Sequence, residues 1–167
     1  MSRRRFDDMD CSVAQTLDVV GDWWTLLIVR EAMFGTRRFA DFQRNLGIAK
    51  NILATRLRDL VDAQILERND LTESGTRAEY RLTERGKDLR NVLNALREWG
   101  DKWVYGPDNE PLVFVDRKSG KRVAGLALLG SDGHPIAPQD LTAKPGNNAP
   151  DSIRQRFAES RRERSDR

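Results

Sequence analysis

The 167-residue chain has almost no thiol or imidazole: one cysteine, Cys11, and one histidine, His134. A single cysteine excludes an internal disulfide and agrees with a reducing compartment. No Cys/His ligand cluster, no glycine-rich phosphate loop and no histidine set beside a nucleophile can be found. His134 sits in a Gly-His-Pro turn, and the Asp7-Asp8 pair reads as solvated. These absences argue against an enzyme and against a resident cofactor. No apolar run approaches the length that spans a bilayer. The start, MSRRRFDDMD, is positive but has no apolar run behind it, so it is not a signal peptide. The expected location is the cytoplasm, with no membrane partner.

What the chain does have is charge. A third of it is Asp, Glu, Lys or Arg, with a net charge of +3, and arginine outnumbers lysine. Arginine is the better residue for bidentate and phosphate contacts, so a polyanion partner fits. The stretch Phe39–Ile65 gives that idea a shape. Phe39, Phe42 and Leu46 form one stripe at helical spacing, and Gly47 follows where a helix stops. A second helix is expected over 50–64, with Leu53, Leu57, Leu60 and Gln64 on one face. Lys50, Asn51, Ala54, Thr55, Arg58 and Asp62 fall on the other. Lys, Asn, Thr and Arg are side chains that bond base edges and phosphates. A helix-turn-helix needs this division, because its second helix seats on one face and enters the major groove with the other.

The pattern alone also fits a plain helical hairpin; the next residues favour a winged helix. Ile65–Arg68 and Ala78–Leu82 alternate at period two, and Ser74-Gly75 marks a turn between them. Arg77, from the wing, with Arg37 and Arg38 ahead of the first helix, are assigned to the DNA backbone. Upstream, a short helix is expected over 12–20, and Asp22 should cap a nearly all-apolar, buried helix over 23–34. Downstream, Thr83 caps a long helix over 84–105. Its stripe of Leu89, Val92, Leu93, Leu96, Trp99 and Trp103 is too long for this domain to cover. A second subunit should cover it through helices 12–20 and 84–105, giving a homodimer. The alternative is that the C-terminal segment folds back over it.

The expected class is α+β, mainly α. Residues 1–10 are read as a mobile basic arm and 11–105 as the winged helix-turn-helix and dimerisation domain. Residues 106–143 are read as a small antiparallel β appendage, and 144–167 as a flexible charged tail with a loose helix at 151–161.

Cys11-Ser12-Val13-Ala14, Leu17–Gly21, Trp24–Ile28, Arg30-Glu31, Arg38-Phe39, Arg56–Leu60, Glu79–Thr83, Gly86 and Leu96–Trp99 together resemble the HxlR-type, MarR-like winged-helix regulators. The resemblance covers about Cys11 to Tyr105. It implies a homodimeric bacterial or archaeal transcription factor that binds double-stranded DNA, here at an inverted repeat. Trp23 departs from the family, which commonly has Lys there. The appendage resembles an extension carrying zinc-ribbon cysteines; Ser119, Leu129 and Asp132 stand at the matching places, so a metal-free, degenerate ribbon is expected. Cys11 falls on a cysteine that several such regulators use to sense oxidants, aldehydes or quinones. It also precedes a predicted helix, whose free N–H groups favour an anion. Two other readings stay open: a regulator binding a small aromatic molecule at the dimer interface near Trp23 and Trp103, and a helical adaptor that never touches DNA.

Overall fold

A computed structural model describes residues 6, 8–72, 77–106 and 108–165, with the backbone alone over 162–165. The elements are α1 (Ser12–Val20), α2 (Trp23–Met33), α3 (Phe39–Leu46), α4 (Lys50–Asp62), β1 (Leu66–Asp70), β2 (Ala78–Leu82), α5 (Glu84–Asp88), α6 (Arg90–Gly100) and α7 (Asp151–Ser165). The class is the expected one: mainly helical, with one two-stranded antiparallel sheet. The chain divides into two compact units. One is Val20–Leu126; the other combines the residues up to Val19 with those from Ala127 onward.

In the Val20–Leu126 unit the core joins Ile28, Val29 and Ala32 of α2 to Phe42 of α3, Leu53, Leu57 and Leu60 of α4, and Ile65 and Leu66 at the wing's start. Each such Leu or Ile contributes roughly 1.5–3 kcal/mol by leaving water. That burial, not intrinsic propensity, holds a helix as short as α4. Asp22 caps α2, its Oδ1 accepting the Trp24 N–H at 3.0 Å. The nearly all-apolar α2 is nevertheless not buried all round, for Trp23 is 77% exposed.

Two turns set the helix-turn-helix. Gly47, at φ +62°, ends α3 in the left-handed conformation that glycine adopts cheaply. α4 ends at Asp62, two residues before its apolar pattern does. There Gln64 takes φ +56°, its N–H reaches the Val61 carbonyl and the Ile65 N–H reaches the Leu60 carbonyl, both at 2.9 Å. This double closure, with Leu60 and Ile65 both in the core, is a Schellman motif. A glycine would have announced it; the glutamine does not.

The wing pairs Leu66 with Leu82 through Asp70 with Ala78. Leu71 N–H then donates to the Arg77 carbonyl at 2.7 Å. The expected Ser74-Gly75 turn lies outside the described residues. The wing is fastened to the helices from β2. Tyr80 meets Phe42 edge to face at 6.5 Å, and its N–H donates to the Arg37 carbonyl at 2.8 Å. Arg38 bridges Glu79 in antiparallel fashion. Beyond the wing, Thr83 caps α5 as expected, its Oγ1 accepting the Gly86 N–H at 3.1 Å. Gly86 is buried, and a Cβ there would fall 2.1 Å from the Ile65 carbonyl oxygen. Only glycine lets α5 start flush against the wing.

Three expectations are corrected. The helix over 84–105 is not one piece: α5 and α6 meet at Leu89, whose ψ is −7°, and Asp101–Tyr105 form a π turn closed at Gly106. No strand forms over 106–143 among the described residues. Isolated bridges, Val115 with Arg122 and Leu129 with Pro135, take the place of a sheet. The apolar runs are cut by Gly120, Gly125 and Gly133, all at positive φ, before a ladder can grow. The first bridge lies in one compact unit and the second in the other, so 106–143 is not a single body. Finally, the described part of the arm is tied down. The Phe6 N–H donates to Asp18 Oδ2 at 2.7 Å, and Gln15 Nε2 donates to the Phe6 and Met9 carbonyls, both at 3.0 Å. Ser152 Oγ, near the start of α7, donates to Asp10 Oδ2 at 2.9 Å.

The Gln64 position generates a test. Gln64→Gly should raise stability by about 0.5–1 kcal/mol, because the left-handed residue loses its Cβ penalty. Thermal unfolding measures it, and a less stable variant would contradict the closure described.

Candidate nucleic-acid interface

The site begins with the unburied side of α4. Lys50, Asn51, Ala54, Thr55 and Arg58 are all exposed and share that side, opposite Leu53, Leu57 and Leu60. Lys50 and Arg58 pair with no carboxylate among the described residues. Their neighbours do pair: Arg44 with Asp41 at 2.5 Å, and Arg56 with Asp59 at 3.1 Å. The Thr55 hydroxyl donates back to the Asn51 carbonyl at 3.1 Å. No side chain caps the start of α4 at Ala49. Free N–H groups and Lys50 therefore face outward together, an arrangement suited to a phosphate.

The flanking arginines separate into two kinds. Arg38 and Arg77 are exposed, the first at the start of α3 and the second just ahead of β2. Arg37 is turned inward. Its Nη1 donates to the Ala32 carbonyl at 2.6 Å and the Thr36 carbonyl at 3.0 Å, closing the end of α2. Arg37 Nη1 therefore closes the end of α2, a role the sequence did not suggest beside the backbone contact expected of it.

Sequence reasoning did not find the residues that hold α3 and α4 in place. Glu31, 9% exposed, accepts from Arg30 Nη2 at 3.0 Å, Asn45 Nδ2 at 3.0 Å and Thr36 Oγ1 at 3.2 Å. A buried acid one turn from the end of an apolar helix was the available signal. Burial pushes this carboxyl up; the bonds from Asn45, Arg30 and Thr36 and the Arg30 charge outweigh it and hold it below its ordinary value. Arg56 was the other omission. Its Nη2 donates to Asp22 Oδ2 at 2.8 Å, linking α4 to the start of α2.

The remaining candidates lie apart from this surface. Cys11 is exposed at the N-cap of α1, its carbonyl accepting the Gln15 N–H at 2.9 Å. Trp23 and Trp103 are 77% and 65% exposed. Neither lines the cleft of about 400 Å³ found between α6 and residues 110–125. In that cleft the charges are matched internally. Arg97 stacks over Phe114 at 4.7 Å and bonds Asp101 at 2.5 Å, and Arg122 pairs with Glu110. Among the described residues no group of three or more His, Cys, Asp or Glu is arranged to hold a metal ion. No helix among them is long and apolar enough to cross a membrane.

Known proteins place this geometry. The HxlR-like helix-turn-helix profile matches residues 19–107. Rv3095 of Mycobacterium tuberculosis, named an HTH-type transcriptional regulator, is 38% identical over 135 residues, 81% of this chain and 85% of its own. The solved structure of PA1607, a candidate transcription factor, aligns at a TM-score of 0.73 and 44% identity over 81% of this chain and 95% of its own. PA1374 from Pseudomonas aeruginosa, of the same description, aligns at 0.65 and 38% identity, over 87% and 99%.

Glu31 supplies a pH test. Its lowered carboxyl contributes stability that is present above the ordinary value of 4.5 and lost as pH falls through the folded value. Glu31→Gln should cost about 1–3 kcal/mol near neutral pH, with the gap to the parent narrowing below that value. Melting curves across pH read it; a gap that stays constant into acid would contradict the assignment.

Proposed function

This chain belongs to the HxlR-like helix-turn-helix family of transcriptional regulators, and from that premise we propose that it binds an inverted-repeat operator as a symmetric homodimer. The observation that carries the DNA reading is the outward polar side of α4, where Lys50 and Arg58 have no carboxylate partner among the described residues while neighbouring arginines do. Asn51, Thr55 and Arg58 meet base edges, and Lys50 meets a phosphate at the start of the helix. Arg38 and Arg77 hold the backbone, the latter from the wing.

The dimer reading rests on the stripe along α6 and the π turn. Val92, Leu96, Trp99 and Trp103 are 39–65% exposed. The segment that folds back on α6 takes a different side: Glu98 accepts the Leu126 N–H at 2.8 Å and Arg97 carries Phe114. At about 100° per residue these positions lie well round the helix from Leu96 and Trp99. The stripe is left to a second copy of the chain. Val13 and Leu17 of α1, also exposed, are the residues that helix would bring to the interface. Localisation in the cytoplasm follows from the same reading.

Asn51→Ala should change the preferred base at one operator position by about 1–3 kcal/mol. Arg77→Ala should weaken all sequences alike and reduce the salt slope by about one. Fluorescence anisotropy on the protein's own upstream region measures both. Two variants that bind like the parent would displace the site.

Cys11 is the proposed signal residue, because it is exposed at a helix start and the chain has no second cysteine. Oxidation then gives a sulfenate, a mixed disulfide or a bridge between subunits, the last only with Cα atoms within about 7 Å. Diamide or a quinone should lower the parent's DNA affinity and leave Cys11→Ser unaffected. An equal response in both proteins would assign the signal elsewhere, with an aromatic ligand near Trp23 and Trp103 as the competing source.

A further inference from the structure

We infer that Arg56 is a positioning residue for the recognition helix, fixing α4 against the start of α2 through Asp22. This rests on the DNA-binding reading of α4 and names the group that sets its angle.

Arg56 is on α4 but not on its outward side. At about 100° per residue it lies between the buried row of Leu53, Leu57 and Leu60 and the exposed Asp59. Its side chain is 29% exposed and that of Asp22 is 19%. The pair spans 34 residues of sequence. Asp22 divides its carboxylate: Oδ1 caps α2 through the Trp24 N–H at 3.0 Å, and Oδ2 accepts Arg56 Nη2 at 2.8 Å. Arg56 divides its guanidinium likewise, with Nη1 on Asp59 Oδ2 at 3.1 Å. One arm of the guanidinium is thus held at the start of α2 and the other within α4, and its planar geometry defines a direction as well as a distance.

The apolar row of α4 does not supply that direction alone. Leucines on a single stripe resist lifting the helix off the core but resist rolling or sliding along it less, since dispersion contacts are not directional. A charge-assisted, half-buried fork at the flank of that row blocks the roll. A roll would carry Asn51, Thr55 and Arg58 off their base edges while leaving the core intact.

The test uses the full-length protein and its operator. Arg56→Gln removes the fork. Asp22→Asn keeps an N-cap acceptor of equal rank and removes only the charge. Each should lower operator affinity about tenfold, and the double variant should be no worse than either, as for two ends of one interaction. Arg56→Lys should recover part of the loss. The slope of affinity against salt should stay at the parent's value, because no phosphate contact is removed. Discrimination between operator and unrelated DNA should shrink. A slope reduced by about one would make Arg56 a direct phosphate ligand and overturn the inference. So would additive single effects, or lower melting temperatures with unchanged affinity, which would mark a purely structural pair. A parent that binds no DNA fails the reading beneath; a binding parent with indifferent variants fails this inference alone.

Discussion

Burial of one side of a thirteen-residue helix governs this molecule. Leu53, Leu57 and Leu60 leave water completely, and the polar side of α4 is available only because they do. The core they enter is small. It is assembled from α2, α3 and the first residues of the wing, so the helix, the turn before it and the strand after it form together. The Schellman closure at Gln64 makes the link from α4 into β1 within three residues. Gly86 then lets the next helix start against the same carbonyl that ends the turn region.

Around that core, polar contacts set direction where apolar ones set depth. Glu31 draws Asn45 of α3 and Thr36 onto α2. Arg37 closes the end of α2 and offers its carbonyl to Tyr80, so the wing hangs from the segment that leads into α3. Arg56 reaches from α4 to Asp22. Each is charged or buried, and none is on the surface proposed for DNA. A winged helix must present several side chains to a rigid groove at once, and directional contacts of this kind limit its rotation.

The residues that announce themselves in sequence are those with period or punctuation. Leu53, Leu57 and Leu60, Gly47, Asp22 and Thr83 gave the helix-turn-helix, its turn and two caps, because each acts through local geometry. The end of α4 was read two residues late because a glutamine occupies the left-handed position. The sheet expected over 106–143 followed from alternation alone, and the glycines that interrupt it matter more than the alternation. Of the site, the outward residues of α4 were legible from the amphipathic pattern. Arg37 was read as a backbone contact because charge next to a helix start looks like a phosphate ligand. Its Nη1 turns back onto the carbonyls of Ala32 and Thr36, a local contact that carries no periodicity or punctuation to announce it. The Arg56 contact left no local trace, because Asp22 is 34 residues away, and an acid in the apolar α2 was the one signal for Glu31, whose bond to Asn45 of α3 the sequence does not show.

The proposed dimer takes the outward side of α4 to DNA and the exposed stripe of α6 to a second chain. With both recognition helices in major grooves, their centres lie about 34 Å apart along one face of the duplex. Hydroxyl-radical footprinting on the protein's upstream region tests this directly. The account predicts two protected half-sites, related by a dyad and centred one helical turn apart. A single protected half-site, or protection without regard to sequence, would contradict it.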